Sequence, residues 1–280
     1  MDKATLEAAV RGGDIFERED FSGLDLSGAN LGGGIFDKCD FSGANLSGAT
    51  LQEAVLNDCD LSGANLSGAK LRHSSVIASS LKGASLSQAD LTSVNFVGVD
   101  GSGADFSGAN LIIGKLINAV LDGASFCEAN LDRTAFIDMK SSANIDFTGA
   151  NMKQTVLYQS DLTSAKFAGA RIELAVINDS DLSGLDLSGM QLELTQLSKC
   201  KLVGTNFSNA NLKQVNFHEA DLTDAKLDGA TATQAIFLEA TLNKTSLRNA
   251  NLYGALFGEC KMNECDLSGS DMRQTFFHDA

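Results

Sequence analysis

The sequence predicts a repeat solenoid built of square coils, with one pentapeptide to each side. Three observations carry this. A large apolar residue recurs every five positions from Phe21 to Phe136, and again from Phe147 to Phe277. A small residue usually stands two places before it, as at Ala29, Cys39, Ala44, Cys59, Ala64, Ala104, Ala210 and Ala250. Proline is absent. A helix repeats near 3.6 and a strand near 2, so neither produces the beat. A fixed short period along a whole chain marks a repeat architecture. If the large and small residues point inward, three of every five point out, and four sides close one turn. Coils stacked on both sides need their backbone donors, which proline lacks. The 27 glycines fall mostly in Ser-Gly pairs, where the chain must turn corners. Tryptophan is absent, as a narrow interior requires.

The first element is a short helix. Residues 1–15 are expected to form a capping helix and lead-in. Asp2 can cap a helix over 2–12, Leu6, Ala9 and Val10 give it one apolar face, and Gly12 and Gly13 end it. Its expected role is to cover the first coil, whose open end would expose apolar surface and unpaired edges. Residues 16–280 are expected to form a single solenoid. Phe136 and Phe147 stand one residue out of step, so a bulge or small loop is expected within 137–146, near Met139–Asn144. Gly101 and Ala232 occupy large inward positions and look undersized. Missing core volume of that order costs about 2–5 kcal/mol, so Gly101→Leu is expected to stabilise. The last unit, Thr-Phe-Phe-His-Asp at 275–279, is in register and no capping helix is expected after it. An end-to-end homodimer through 257–280 is therefore expected, with Phe257, Met262, Leu267, Met272, Phe276 and Phe277 at its face.

Ala-Asn-Leu-Ser-Gly at 44–48 and 64–68, Ala-Asp-Leu-Thr-Ser at 89–93 and Ala-Asp-Phe-Ser-Gly at 104–108 resemble the motif of the pentapeptide-repeat family. The resemblance covers roughly residues 16–280. It implies an all-β fold, a right-handed quadrilateral β-helix of about 12–13 coils. At a spacing of about 4.8 Å between coils, the rod would be about 60 Å long.

Placing residues one turn apart in columns sorts the surface. One column carries apolar residues outside as well as inside: Ile35, Val55, Val156, Val176, Ile236, Leu256 and Phe276 before the core residue, and Ile77, Val97, Ile117, Ile137, Tyr158 and Leu238 after it. An aligned apolar stripe is a candidate contact surface. Alternatively, Val and Ile stand there because they suit strands. The corner after the stripe holds Asp58, Asp138, Asp179, Glu219, Glu239, Glu259 and Asp279. The next side presents Asp20, Asp40, Asp60, Asp100, Asp161, Asp181 and Asp221. These ladders either bond locally to turn backbone or form an electrostatic surface for a basic partner.

No catalytic constellation emerges. The three histidines, His73, His218 and His278, are far apart, and no nucleophile, zinc or phosphate-loop motif occurs. Carboxylates on a convex surface lack the cleft that catalysis needs. No cofactor is expected. A net charge of −15 argues against direct nucleic-acid binding. Cys39, Cys59, Cys200, Cys260 and Cys265 take the small inward place, and only Cys127 points out; buried cysteine there is expected to replace alanine. The charged N-terminus is not a signal peptide, no run is long enough for a membrane span, and reduced thiols suit a cytoplasmic protein.

The expected function is a non-enzymatic interaction scaffold with a protein partner. The resemblance implies a second role, because some members of the family mimic duplex DNA, bind DNA gyrase or topoisomerase IV, and protect them from quinolones. Charge density tempers it: about one net charge per 4 Å, against one per 1.7 Å in duplex DNA. The chain also departs from that subgroup in having neither its long loops nor its C-terminal dimer helix. A third role is implied by the Leu-Asp-Leu-Ser-Gly units at 24–28 and 185–189, which are similar to accessory domains of bacterial secretion assemblies.

Overall fold

The computed structural model describes residues 1–279. It is a β-solenoid of about 13 turns with one short helix at its N-terminus. The chain forms two compact units, Met1–Asn151 and Met152–Ala280.

In the first unit, helix α1 spans Lys3–Gly12. The Thr5 amide donates to the Asp2 carboxylate at 2.8 Å, and Gly13 closes the helix with φ 82°. Leu6 and Val10 are buried. Glu7 accepts from the Asn30 amide at 2.7 Å, and the Lys3 ammonium donates to the Ser27 carbonyl. In later coils the equivalent amide bonds the coil beneath, as Thr50 does to Ala29 at 2.8 Å. The helix thus supplies a side-chain acceptor where the first coil has no coil beneath it.

Strands β1 (Ile15–Glu17), β2 (Ile35–Asp37), β3 (Val55–Asn57), β4 (Ser75–Ile77), β5 (Asn95–Val97), β6 (Lys115–Ile117) and β7 (Ala135–Ile137) stack in parallel on one side of this unit, paired in that order. The other sides pair through single bridges, such as Asp20↔Asp40, Asp25↔Asn45 and Asn30↔Thr50. Their corners are tight turns: the Ala44 amide donates to the Phe41 carbonyl at 3.0 Å, with Gly43 at φ 61° between them. On the strand side the corner is held differently, and the Cys59 amide donates to the Ser79 hydroxyl at 3.0 Å.

The core is as the beat requires. Phe21, Leu26, Leu31, Phe36 and Phe41 and the small Ala29 and Cys39 are all buried. Phe21 stacks on Phe41 one turn later, with ring centroids 4.8 Å apart, while Phe36 meets Phe41 edge-on across the coil at 5.2 Å. Rings therefore stack along the solenoid and cross at right angles within a turn, both favoured arrangements.

The register slip is a β-bulge. Val120 is opposed by two residues: the Lys140 amide donates to Ala119, while Leu121 donates to the carbonyl of Ser141, each at 2.8 Å. Bridges that elsewhere join residues 20 apart here join Val120↔Ser141, Ser125↔Asp146 and Asn130↔Asn151. Asp122 holds the bulge, accepting from the Ser141 hydroxyl and from the Ala143 amide at 2.8 Å.

Gly101 departs from expectation. A Cβ there would meet Leu121 Cδ2 at 3.1 Å, with Phe106 close by. Leu121 has taken up the room, so a side chain at 101 must displace it, and the stabilisation expected of Gly101→Leu does not follow from missing volume.

The second unit contains β8 (Val156–Tyr158), β9 (Leu256–Gly258) and β10 (Phe276–His278), and β9 pairs with β10 in parallel. Between β8 and β9 the same side makes tight turns instead, with the Ala220 amide donating to Phe217 and the Ala240 amide to Phe237, both at 3.0 Å. Phe217, Phe237, Phe257 and Phe277 form one ring column, with centroids 5.1, 4.6 and 5.1 Å apart.

Asp122→Ala is expected to cost about 1–3 kcal/mol, since it strips the bulge of two hydrogen bonds. Asp122→Asn keeps the acceptor oxygen and should retain most of the stability. Denaturant midpoints of the two variants check this.

Candidate functional site

Hydrogen bonding decides what the small inward position can do. Threonine there sends its hydroxyl to the carbonyl of a core residue in the coil beneath, whereas Ser74 bonds the carbonyl of Leu71 in its own coil at 2.8 Å. Thr134 donates to Leu111 (2.8 Å), Thr195 to Ile172 (2.9 Å), Thr205 to Leu182 (3.0 Å) and Thr245 to Leu222 (2.8 Å). Cysteine does the same: Cys39 to Phe16 at 3.5 Å, Cys59 to Phe36 at 3.4 Å and Cys260 to Phe237 at 2.7 Å. Burial pushes the thiols of Cys59 and Cys200 up to about 12, and those of Cys260 and Cys265 to about 11. All six cysteines are free, and Cys127, at a corner, is half-exposed. Cys39, Cys59, Cys200, Cys260 and Cys265 are packing residues, whose thiolates are scarce near neutrality.

The Asp column is a set of local turns. Asp20, Asp40, Asp60, Asp161 and Asp181 each accept the amide two residues ahead, at 2.9, 2.8, 2.8, 3.1 and 3.0 Å. The Ser22 hydroxyl also donates to Asp20 at 2.6 Å, and the Thr163 hydroxyl to Asp161 at 2.7 Å. The Ser22 hydroxyl and amide hold the Asp20 carboxyl below its ordinary value, and Ser268 does the same for Asp266. Burial works against the ionised form of Asp181, but the Ser183 hydroxyl and amide and the Lys201 ammonium outweigh it, and its pKa falls. Asp181 is also the point where a cation enters the column, with Lys201 at 3.5 Å; Lys82 does so at Asp100, at 3.0 Å.

The corner ladder occupies backbone that favours glycine. Asp58, Asp138, Asp179, Glu219, Glu239, Glu259 and Asp279 have φ between 50° and 57°. Other corners put glycine in the same conformation, as at Gly43 and Gly48. This backbone turns the carboxylates out at the corner instead of along a side. Glu219 is shared by Lys199 at 3.6 Å and His218 at 3.0 Å. Among the described residues, Glu239 and Glu259 form no ion pair and accept no side-chain hydrogen bond.

The apolar stripe is real only in parts. Ile35 is exposed and Val55 half-buried, but the same column then runs Ser75, Asn95, Lys115 and Ala135. In the first unit the apolar residues cross to the other end of each strand, at Ile77, Val97, Ile117 and Ile137, all half-buried. They lie in β4 to β7, where strand preference accounts for them. In the second unit Val156 and Val176 are half-buried, Gln196 and Asn216 interrupt the column, and Ile236, Leu256 and Phe276 then stack in consecutive coils. Leu238 joins these three. It is 37% exposed, and its Cδ2 lies 2.8 Å from where a Cβ on Gly258 would sit. Leu238 thus lies flat over a buried glycine, forming an apolar floor beside Glu239 and Glu259.

Of the residues expected at a dimer face, Phe257 is fully buried beneath Phe277. Met262 and Leu267 are half-buried, and Met272, Phe276 and Phe277 are exposed.

The second unit has shallow depressions. One, of about 300 Å³, is lined by Gln159, Asp161, Asp179, Asp181, Lys199 and Lys201, with Ser160 and Ser180 at its edge. The Ser160 and Ser180 hydroxyls donate to the carbonyls of Tyr158 (3.3 Å) and Asn178 (3.2 Å), so neither is paired with a base. Among the described residues no group of His, Cys, Asp and Glu is arranged to hold a metal ion, and no helix is long and apolar enough to cross a membrane.

A family model described as pentapeptide repeats matches in eight copies, at residues 15–43, 39–75, 79–112, 143–179, 175–214, 191–229, 216–254 and 250–280. Among solved structures the chain is similar to HetL, a pentapeptide repeat protein involved in heterocyst differentiation regulation in the cyanobacterium Nostoc sp. strain PCC 7120. Identity is 21%, with 99% of this chain and 97% of that one covered and a TM-score of 0.28. It is similar to full-length QnrB1, a plasmid-mediated fluoroquinolone resistance protein, at 22% identity over 77% and 93% of the two chains, TM-score 0.26. A pentapeptide repeat protein of the Arabidopsis thaliana thylakoid lumen shares 26% identity over 46% of this chain and 71% of its own, TM-score 0.23. No curated protein matches.

Two outcomes are expected from this chemistry. A thiol reagent at mildly alkaline pH should modify Cys127 before Cys39, Cys59, Cys200 or Cys260, as mass spectrometry of the labelled peptides would show; early labelling of Cys59 or Cys200 contradicts the packing role. Carboxylates lowered in the fold, such as Asp20 and Asp266, contribute stability above their unfolded pKa near 3.8 and lose it as pH falls through their lower folded values. The denaturant midpoint should therefore drop between about pH 4 and pH 2, and Ser22→Ala combined with Ser268→Ala should shallow that drop.

Proposed function

The chain belongs to the pentapeptide-repeat family, and we propose that it is a non-enzymatic interaction scaffold that binds a protein partner through the second unit, on the face formed by Ile236, Leu238, Leu256, Glu239 and Glu259. One observation carries this reading. Apolar side chains in successive coils lie beside carboxylates that have no cation of their own, and Leu238 is spread over Gly258 in the open. Water is a poor neighbour for such an apolar floor, and a partner that covered it would gain the hydrophobic term and meet the free charge together. The DNA-mimic role is the weaker reading, because cations interrupt the ladders. Lys201 stands within the Asp column against Asp181, Lys82 pairs with Asp100, and Lys199 pairs with Glu219. These pairs break the run of like charge that a duplex presents.

The test is an affinity capture from the native host, comparing the wild type with Ile236→Lys/Leu256→Lys. A partner held by the wild type should be lost by the variant while the variant's melting transition stays in place. Retention of every partner would count against this face.

A further inference from the structure

If the face of Ile236, Leu238 and Leu256 is the interface proposed above, it also constrains the form of its partner. On that basis we infer that the segment bound there is a basic amphipathic α-helix lying along the stacking direction. The backbone on this side is already paired from coil to coil: Ile236 with Leu256, then Leu256 with Phe276. Between these coils no free edge remains, so a strand laid over the patch has nothing to pair with there. Recognition must come from side chains, and their spacing is set by the coils. Coils repeat at about 4.8 Å, so the three residues of each column, Ile236–Leu256–Phe276 and Glu219–Glu239–Glu259, span about 9.6 Å.

A helix rises about 1.5 Å per residue, so residues i, i+3 or i+4, and i+7 fall on one face over about 10.5 Å. That matches three coils to within about 1 Å. An extended chain repeats on one face only every ~6.8 Å and is out of step after one coil. The two columns lie next to each other, separated by one core residue and by Leu238. A helix about 10 Å wide covers both. Its apolar stripe would rest on Ile236, Leu238, Leu256 and Phe276. The flat placement of Leu238 over Gly258 leaves no knob in the way. An adjacent stripe of Lys or Arg would meet Glu239 and Glu259. Glu219, already shared by Lys199 and His218, sets the limit of the free charge.

The probe is a fluorescein-labelled synthetic peptide of about 18 residues, long enough to hold a helix. It carries Leu at i, i+3/i+4 and i+7 and Lys on the neighbouring stripe. A scrambled peptide of the same composition is the control. Anisotropy titration should show saturable binding of the amphipathic peptide and at least about tenfold weaker binding of the scrambled one. Glu239→Lys/Glu259→Lys should weaken binding by at least about tenfold, and a peptide with Glu in place of Lys should bind that variant, which also shows that it is folded. No binding, equal binding of the two peptides, or an affinity unmoved by the charge reversal overturns the inference. A host partner lost on Ile236→Lys/Leu256→Lys, together with no peptide binding, would overturn the helical partner and leave the interface standing.

Discussion

The structure depends on the backbone ladder between coils. The Phe41 amide donates up to Asp60, and the Asp40 amide donates down to Glu19. An inner coil is thus held by two neighbours, and each bond needs its partner one full turn away. That requirement fixes the period more strictly than core packing does. A core can absorb a missing side chain, as Leu121 does beside Gly101. The ladder can absorb an extra residue only by a defined break. At Val120 the break is made by dividing one pairing position between Lys140 and Ser141, with Asp122 taking the hydroxyl and amide left over. Buried backbone groups must find partners, and the bulge satisfies them with one inserted residue.

The ladder also dictates what a corner accepts. Each side must end in a left-handed residue, and glycine is the cheapest. The chain nevertheless places Asp58, Glu219, Glu239, Glu259, Lys199 and Leu194 there. Such residues cost up to about 1–2 kcal/mol each relative to relaxed backbone. The stack over-determines the conformation, because the amide of each corner residue is bonded to the next coil: Glu219 to Leu238 at 3.0 Å, Glu239 to Gly258 and Glu259 to His278, both at 2.8 Å. Cross-coil pairing thereby lets the corner hold side chains other than glycine.

This division explains what is legible in the sequence. The beat, the inward pair, the helix end at Gly13 and the slip are all readable from spacing, because they answer to the core and the ladder. Which residue forms the bulge is not, since Lys140 and Ser141 are both polar and the binary pattern treats them alike. The Asp column is readable as turn chemistry because Asp two places before Ser or Thr has a known local use. The corner ladder is readable as a column but not as left-handed backbone, because Glu is not a residue that chooses that conformation. The apolar stripe is shorter in the structure than in the sequence. Residue identity alone puts Ile117 and Leu238 in one column, and only packing separates the first, seated in a strand, from the second, spread over Gly258.

The difference between those two residues is what makes a surface on an otherwise uniform scaffold. A solenoid repeats its environment, so a side chain that fits one coil fits the next, and strand preference fills a column without any outside demand. A departure from the repeat is therefore more informative than the repeat. Gly258 is such a departure: it stands at the end of β9 where other strands carry Ile117, Ile137 or Tyr158. Its missing side chain lets Leu238 lie down, flattening the face where Ile236 and Leu256 stack. Two free carboxylates stand at the corner beside that flattened patch. Stability alone asks for neither feature. A β-branched residue at 258 would suit the strand better, and a cation beside Glu239 would ease the repulsion between neighbouring coils. The fold tolerates both because its ladder is satisfied without them.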